Sequence, residues 1–351
     1  MDLDKLLEKT MEYEASDLHL CAGIPPVIRI QGDLVYMNEP VLTVNDCEEM
    51  SHQCLSSELK NVLNEKGQVD TAYALAEMGR FRINIFRQRS TLAIAARAIP
   101  MEIPKIENLG LPDIIYELAG KQRGLTLVTG PTGSGKSTTL AAMINYINSK
   151  RRCHIVTIED PIEFLHKHNR SVINQREVGI DTCSYADALR AALREDPDVI
   201  LIGEMRDQET IATALTAAET GHLVFSTLHT VGSAKTIDRI IDVFPPHQQS
   251  QVRNQLSTVL QGIISQQLLK KKNGKGRIVA TEVMVLTPAI SNLIREARIP
   301  QINTNIHTGM HFGMHSMDSC LARLYKEEKL EFNHACQFSI DMDNFKKLIA
   351  G

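Results

Sequence analysis

Five β-prone residues, Leu125 to Thr129, empty into Gly130-Pro131-Thr132-Gly133-Ser134-Gly135-Lys136-Ser137-Thr138, and a segment of helical character, Thr139 to Asn148, follows. No other stretch restricts the fold so tightly. The spacing fits G-x-x-x-x-G-K-[ST] in the strand–loop–helix order that a phosphate-cradling loop requires. Small residues let consecutive backbone N–H groups curl around an anion without Cβ clashes. The start of a helix adds unpaired donors and a partial positive charge. Lys136 is placed to reach the β- and γ-phosphates of a nucleotide, and the Ser137 hydroxyl to ligate Mg²⁺. The plain alternative, a glycine-rich turn holding nothing, is disfavoured by the flanking strand and helix.

Composition narrows the class. The 351 residues suffice for two domains with full cores. A net charge of −4, 5% aromatics and no Trp give neither a basic footprint nor a base-stacking platform, so no nucleic-acid partner is expected. No apolar run approaches the roughly 20 residues of a bilayer span, and no direct membrane insertion is expected. The opening Met1-Asp2-Leu3-Asp4-Lys5 is acidic and lacks the features of a secretory signal. Seven scattered cysteines without a C-x-x-C pair disfavour zinc and disulfide frameworks and fit a reducing cytosol. The expected location is cytoplasmic.

Residues 1–98 read as a small α+β domain. Leu3, Leu6, Leu7, Met11 and Ala15 recur at helical spacing. Leu18 and Leu20, then Val27 to Ile30, read as strands, with Gln31-Gly32-Asp33 as a hairpin turn before Leu34 to Met37. Asn45 to Asn64 is polar and helix-like. From Arg80 to Arg87 the pattern alternates, with Phe81, Ile83 and Ile85 on one side and Arg80, Arg82 and Asn84 on the other. Thr91 to Ile99 is another β-type run. The arginines at 80, 82, 87, 89 and 97 read first as the solvated face of a half-buried sheet. The sharper reading is that one or two reach a neighbouring ATP, since a guanidinium is always charged and matches phosphate oxygens. Among the five, Arg82 is favoured.

Pro100 and Pro104 punctuate an extended link over 99–110, and residues 111–351 then alternate strand and helix. His154 to Ile158, Val199 to Ile202 and Leu223 to Thr227 read as strands. Tyr185 to Glu195 and Gln208 to Thr220 read as helices. Continuous apolar strands between helices imply an α/β fold with a parallel sheet covered on both faces. Asp207 and Ser233 look like helix N-caps, and Thr287-Pro288 places Pro at a helix's first position. Ligands of such sheets bind at the carboxyl ends of the strands.

Three boxes fall there. Glu159-Asp160-Pro161-Ile162-Glu163 follows a buried strand. Its carboxylates either cap a following helix or hold Mg²⁺ partly through water, and Glu159 and Glu163 are the favoured pair. Val199 to Ile202, then Gly203-Glu204, looks like a Walker B strand whose carboxylate polarises an attacking water. Gly221-His222 and His229-Thr230 flank a third strand. Each histidine alone could be structural, but the pair suggests γ-phosphate sensing and relay to a neighbour. No third ligand has metal-binding spacing.

Together these boxes resemble the secretion ATPase superfamily of bacterial type II secretion and type IV pilus systems, and within it the pilus retraction branch. The likeness covers almost the whole chain. Ala15 to Leu20 and Gly23 to Pro26 are similar to the family's N-terminal opening, and Gly79 to Arg89 to its arginine-bearing strand. Glu159 to Glu163 resembles the Asp box, and Gly221-His222 with Leu228-His229-Thr230 the His box. The resemblance implies a PAS-like N-terminal domain and a RecA-like P-loop NTPase core with a C-terminal helical part. It implies a homohexamer that binds ATP and Mg²⁺ between domains, with Arg82 and Arg277 as phosphate contacts. Closure and reopening of interfaces would rotate domains as rigid bodies. The partner would be an inner-membrane pilus platform protein, which places the chain peripherally at the inner face of the cytoplasmic membrane.

Two features favour retraction. Assembly and secretion ATPases of the superfamily usually carry a longer N-terminal region and a tetracysteine zinc insert; here the phosphate loop follows only about 120 residues. Retraction ATPases also share a helix reading Ala-Ile-Arg-Asn-Leu-Ile-Arg-Glu, which here is Ala289 to Glu296 with Ser291 in place of the first arginine. That departure leaves room for an accessory retraction ATPase working with a second pilus ATPase. The rival readings are a pilus assembly or type II secretion motor, a nucleic-acid motor, and a nucleotide-binding scaffold without turnover. The acidic balance argues against the nucleic-acid motor, and intact Lys136, Ser137 and Glu204 against the scaffold.

Overall fold

The computed structural model describes all residues except 1, 31, 76–78, 101, 275 and 351. The chain divides into two compact units. One comprises 1–102 together with 163–165, and the other 103–162 with 166–351.

In the first unit Leu3–Glu12 is a helix that buries Leu3, Leu6 and Leu7, as the helical spacing predicts, together with Thr10; Met11 is half-buried and Ala15 lies beyond the helix. Six strands among the described residues form an antiparallel sheet in the order Asp33–Tyr36, Val27–Ile30, Asp17–Cys21, Thr91–Ile99, Gly79–Gln88, Gln68–Leu75. Phe81, Ile83 and Ile85 are completely buried, whereas Arg82 on the other face is exposed. This is the period-two signature of a sheet with one wet face. The polar segment read as one helical stretch is two helices, Val44–Cys54 and Ser57–Lys66. Leu55 adopts an extended conformation, and Ser56 caps the second helix by accepting from the Leu59 N–H. The Gln68–Leu75 strand was not foreseen. Gln31, in the expected hairpin turn, lies outside the described residues.

The second unit is built on a seven-stranded sheet among the described residues. Its order is Arg277–Val285, Leu260–Lys270, Gly124–Thr129, Leu223–Leu228, Val199–Ile202, His154–Glu159, Val172–Glu177. All neighbours run parallel except the first two, which form an antiparallel hairpin. Gly124–Thr129, Val199–Ile202 and Leu223–Leu228 are buried at every residue, because helices cover both faces. Alternate side chains serve opposite layers. Leu125, Leu127, Ile200, Ile202 and Val224 pack with the helices after residue 185. Val128, Val199, Leu201, Leu223 and Phe225 pack with Ile115, Leu118, Leu140 and Met143.

Residues 103–110, expected as part of a link, belong to the second unit. Ile106–Leu109 is a short 3₁₀ turn, and Ile106 is buried in the same layer as Leu118 and Met143. The outer strand Val172–Glu177 and the hairpin of Leu260–Lys270 with Arg277–Val285 were not foreseen as strands. Asp207 caps Gln208–Glu219 by accepting from the Thr210 N–H, and Thr287 caps Pro288–Arg295 with Pro288 in the first turn. Ser233 is not an N-cap. It is the first residue of Ser233–Asp242, and its backbone N–H donates to the Glu282 carboxylate at 2.7 Å, so a neighbouring strand supplies the cap.

Candidate nucleotide site

The register fixes which residues meet at the carboxyl edge of the parallel sheet. Thr129 pairs with Leu228, so Gly130 and His229 leave their strands side by side. Ile202 pairs with Ile158 and Ser226, which brings Gly203 and Glu159 to the same edge. The Leu223–Leu228 strand lies between the phosphate-loop strand and the Val199–Ile202 strand that leads to Glu204. At about 4.8 Å per strand spacing, the loop and Glu204 leave strands about 10 Å apart.

The loop itself is shaped by close contacts. Gly130 has φ 141°, and a Cβ there would lie 2.2 Å from the Gln266 carbonyl oxygen, so no side chain fits. Gly135 has φ 87° and starts the helix Lys136–Lys150 without a side-chain cap. That leaves first-turn N–H groups to face an anion. Pro131, Thr132 and Gly133 form the exposed lip, while Ser137 and Thr138 are half-buried in the first helical turn. Lys136 is buried, and its Nζ donates to the Gly130 and Pro131 carbonyls at 2.9 and 3.1 Å. An ammonium held on the loop's own carbonyls is already where phosphate charge would be met.

Glu204 is the centre of the opposite wall. Its Oε1 lies 3.1 Å from His229 Nε2 and its Oε2 2.8 Å from an Arg206 guanidinium nitrogen. Burial pushes the carboxyl's pKa up, but the hydrogen bond from Arg206 and the charges of His229 and Arg206 outweigh it and hold the group below the usual range. It is therefore ionised at neutral pH, as a base that takes a proton from water must be. Gly203 sets this geometry, since a Cβ there would meet the Tyr185 hydroxyl at 2.8 Å and Glu159 Cα at 3.4 Å. Thr227 Oγ1 donates to the Gly203 carbonyl at 2.6 Å and ties the turn to the adjacent strand. The Tyr185 phenol is raised above its ordinary pKa by burial and by Asp160, Glu204 and Glu159, and it remains a neutral donor among these carboxylates.

Glu159 stands at the same edge, its Oε1 accepting from Thr157 Oγ1 at 2.6 Å and Gln175 Nε2 at 3.1 Å. Glu163 is exposed and falls in the segment that groups with the first unit. His222 is not brought to the loop. It precedes Leu223, which pairs with Gly124 at the amino edge, and its ring Nδ1 bonds the Ala217 carbonyl at 2.9 Å. A helix-terminating role fits that placement. Arg277 pairs with Lys270, five residues beyond Ser265, the partner of Thr129. At about 3.3 Å per residue it stands roughly 16 Å beyond the end of the phosphate-loop strand. Arg82, in the first unit, lies 3.9 Å from Asp70.

Sequence reasoning missed Gln266, Arg206 and Tyr185 as parts of this edge. The signal for Gln266 was present: Ser265-Gln266-Gln267 interrupts the apolar pairs Ile263-Ile264 and Leu268-Leu269, and a buried amide needs partners. Among the described residues no group of three or more His, Cys, Asp or Glu could hold a metal by itself. The oxygen donors of Ser137 and Glu159 fit Mg²⁺, which takes few protein ligands and completes its shell with water and phosphate.

A parallel sheet with the loop strand and the acidic strand separated by a third, and a glutamate at the far side, defines a RecA-like P-loop protein. The chain belongs to the type II/IV secretion system protein family, whose model matches residues 93–321. It is 47% identical to the type IV pilus retraction ATPase PilT of Pseudomonas aeruginosa over 345 residues, 98% of this chain and 100% of that protein. It is 50% identical to a twitching motility protein of Neisseria gonorrhoeae over 302 residues, covering 86% of this chain and 81% of the relative. The crystal structure of the pilus retraction motor PilT with bound ADP superposes with a TM-score of 0.93 at 49% identity, covering 99% of each chain.

Proposed function

We propose that this chain is a hexameric, Mg²⁺-dependent ATPase that powers retraction of type IV pili. The observation that carries the reading is the pairing of an intact phosphate loop with an ionised Glu204 at one sheet edge. Similarity to a pilus retraction ATPase over 98% of the chain supports the direction of work. Lys136 and the loop N–H groups bind the β- and γ-phosphates of ATP. Glu204, oriented by His229 and Arg206, accepts the proton of the attacking water. Ser137, with Glu159 acting through water, would hold Mg²⁺, which when bound neutralises phosphate charge. We assign Arg82, Glu163 and Arg277 to charges supplied from elsewhere in a ring of subunits. The chain would work at the inner face of the cytoplasmic membrane against a pilus platform protein. No helix among the described residues is long and apolar enough to cross that membrane.

Ser291, where the retraction motif has arginine, is half-buried, and its hydroxyl donates to the Ser257 carbonyl at 2.7 Å. In this chain the position serves helix packing, and Arg295 in the same helix remains exposed. The test is surface pilin in cells carrying Glu204→Gln, which keeps the side chain's size and removes its basicity. An excess of pili that never shorten is the expected outcome. Loss of pili would reverse the assignment and make this an assembly motor.

A further inference from the structure

We propose that Gln266 is the positioning residue that sets the phosphate loop for nucleotide phosphates. The inference rests on reading that loop as the nucleotide site, and it gives a role to a residue on a neighbouring strand.

Gln266 is 1% exposed, and both ends of its amide are bonded to the loop and its helix. Nε2 donates to the Ser134 carbonyl at 2.8 Å, and Oε1 accepts from Thr139 Oγ1 at 3.0 Å. The orientation of the amide is fixed by chemistry, because a carbonyl can only accept and so must face the NH₂ group. Thr139 must then be the donor to Oε1. Ser265 pairs with Thr129 at the end of the phosphate-loop strand, so Gln266 is the first residue beyond it. There its backbone also presses on the loop, its carbonyl oxygen standing 2.2 Å from where a Gly130 Cβ would be.

The consequence follows from peptide geometry. In a trans peptide the C=O and the next N–H point in opposite directions. Holding the Ser134 carbonyl toward the sheet therefore turns the Gly135 N–H away from it, to the side where the loop is open. Gly135 has a left-handed φ of 87°, which few restraints of its own maintain. The Thr139 bond holds the next helical turn in the same register. Without the amide, the 134–135 peptide is free to rotate, and one anion-binding donor is lost to an unordered loop. Gln266 contributes no charge and needs no contact with substrate; it acts through the loop.

The test is ADP binding and ATP turnover by the full chain, with binding sites counted by titration. Gln266→Met keeps length and packing and removes both hydrogen bonds. It should weaken ADP binding and raise KM about ten-fold, while the number of sites and kcat change less than about three-fold. Thr139→Val removes one bond and should weaken ADP about three-fold, which keeps the test in force where the first variant fails to fold. Gln266→Glu turns an acceptor toward the Ser134 carbonyl and should weaken ADP more than either. A loss of folded protein alone would lower the site count and leave the surviving sites at wild-type affinity, and that result would overturn the inference. So would unchanged ADP affinity in Gln266→Met and Thr139→Val. Failure of the wild-type chain to bind ADP at all would instead remove the nucleotide reading, and the inference with it.

Discussion

The two edges of the parallel sheet carry similar residue types and do different work. At the amino edge, Asp198 precedes the Val199–Ile202 strand and accepts from the His154 backbone N–H at 2.9 Å, while His222 is bonded to Ala217 within its own turn. At the carboxyl edge of the same strands, Glu204 and His229 bond each other at 3.1 Å beside the phosphate loop. At the first edge Asp198 ties the starts of two neighbouring strands together and His222 closes a turn. The acid and imidazole of the second are held by side chains from different strands and converge on one place. Parallel strands all deliver their loops to the same side, so the carboxyl edge collects residues distant in sequence. The lesson is that an Asp or His beside a buried strand gains a chemical role from which end it occupies.

The largest effect should come from the acids that bracket the Val199–Ile202 strand. Glu204→Gln removes the proposed base and should lower steady-state ATP hydrolysis by between about a hundred- and ten-thousand-fold. Asp198→Asn, at the other end, should leave hydrolysis within about two-fold and cost about 1 kcal/mol of stability through a weaker bond to the His154 backbone N–H of the neighbouring strand. Phosphate release and urea unfolding on the two purified variants make the comparison. Comparable losses of turnover would show that the edges are not functionally distinct.

The histidines sharpen the same contrast at smaller scale. His229→Ala frees Glu204 Oε1 from its orienting partner and should cost roughly ten- to a hundred-fold in kcat, less than loss of the acid–base group itself. His222→Ala breaks only the local bonds to Ala217 and Thr220, and should keep kcat within about two-fold while losing about 1 kcal/mol of stability. Should His222→Ala reduce kcat as far as His229→Ala, a role for the amino-edge histidine in turnover would have to be restored.

Much of this was legible in the sequence because it is local. The apolar runs over Leu125 to Thr129, Val199 to Ile202 and Leu223 to Thr227 sit at the sheet centre. The glycines, Lys136 and Ser137 occupy the loop and the first helical turn. What was not legible depends on strand order. Val172–Glu177 alternates poorly, with exposed Val172 and buried Glu177, because it is an edge strand. Gln266 was hidden because its partners, Ser134 and Thr139, lie more than 120 residues earlier. His222 and His229 look equivalent in sequence, and the parallel register with Gly124 and Thr129 is what separates them. The cap of Ser233–Asp242 was misplaced for the same reason, since its acceptor Glu282 comes from another strand.

The smallest expected effect is also the most specific to the carboxyl edge. Burial pushes the Glu204 carboxyl upward, and the Arg206 hydrogen bond with the His229 and Arg206 charges brings it below the ordinary range. A carboxyl lowered in the folded state adds stability above its unfolded pKa, and that stability is lost as pH falls through the folded value. Arg206 is the stronger of the two holds and is itself largely exposed, so Arg206→Ala removes it without opening the core. Burial is then less opposed, and the Glu204 pKa must rise. The acid limb of the kcat/KM profile should move to higher pH, and the share of stability lost on acidification should shrink. The same substitution leaves Asp198 and His154 at the amino edge untouched. A limb that stays in place would mean that another ionisation governs turnover, and that Glu204 is not the group whose proton affinity this edge was built to set.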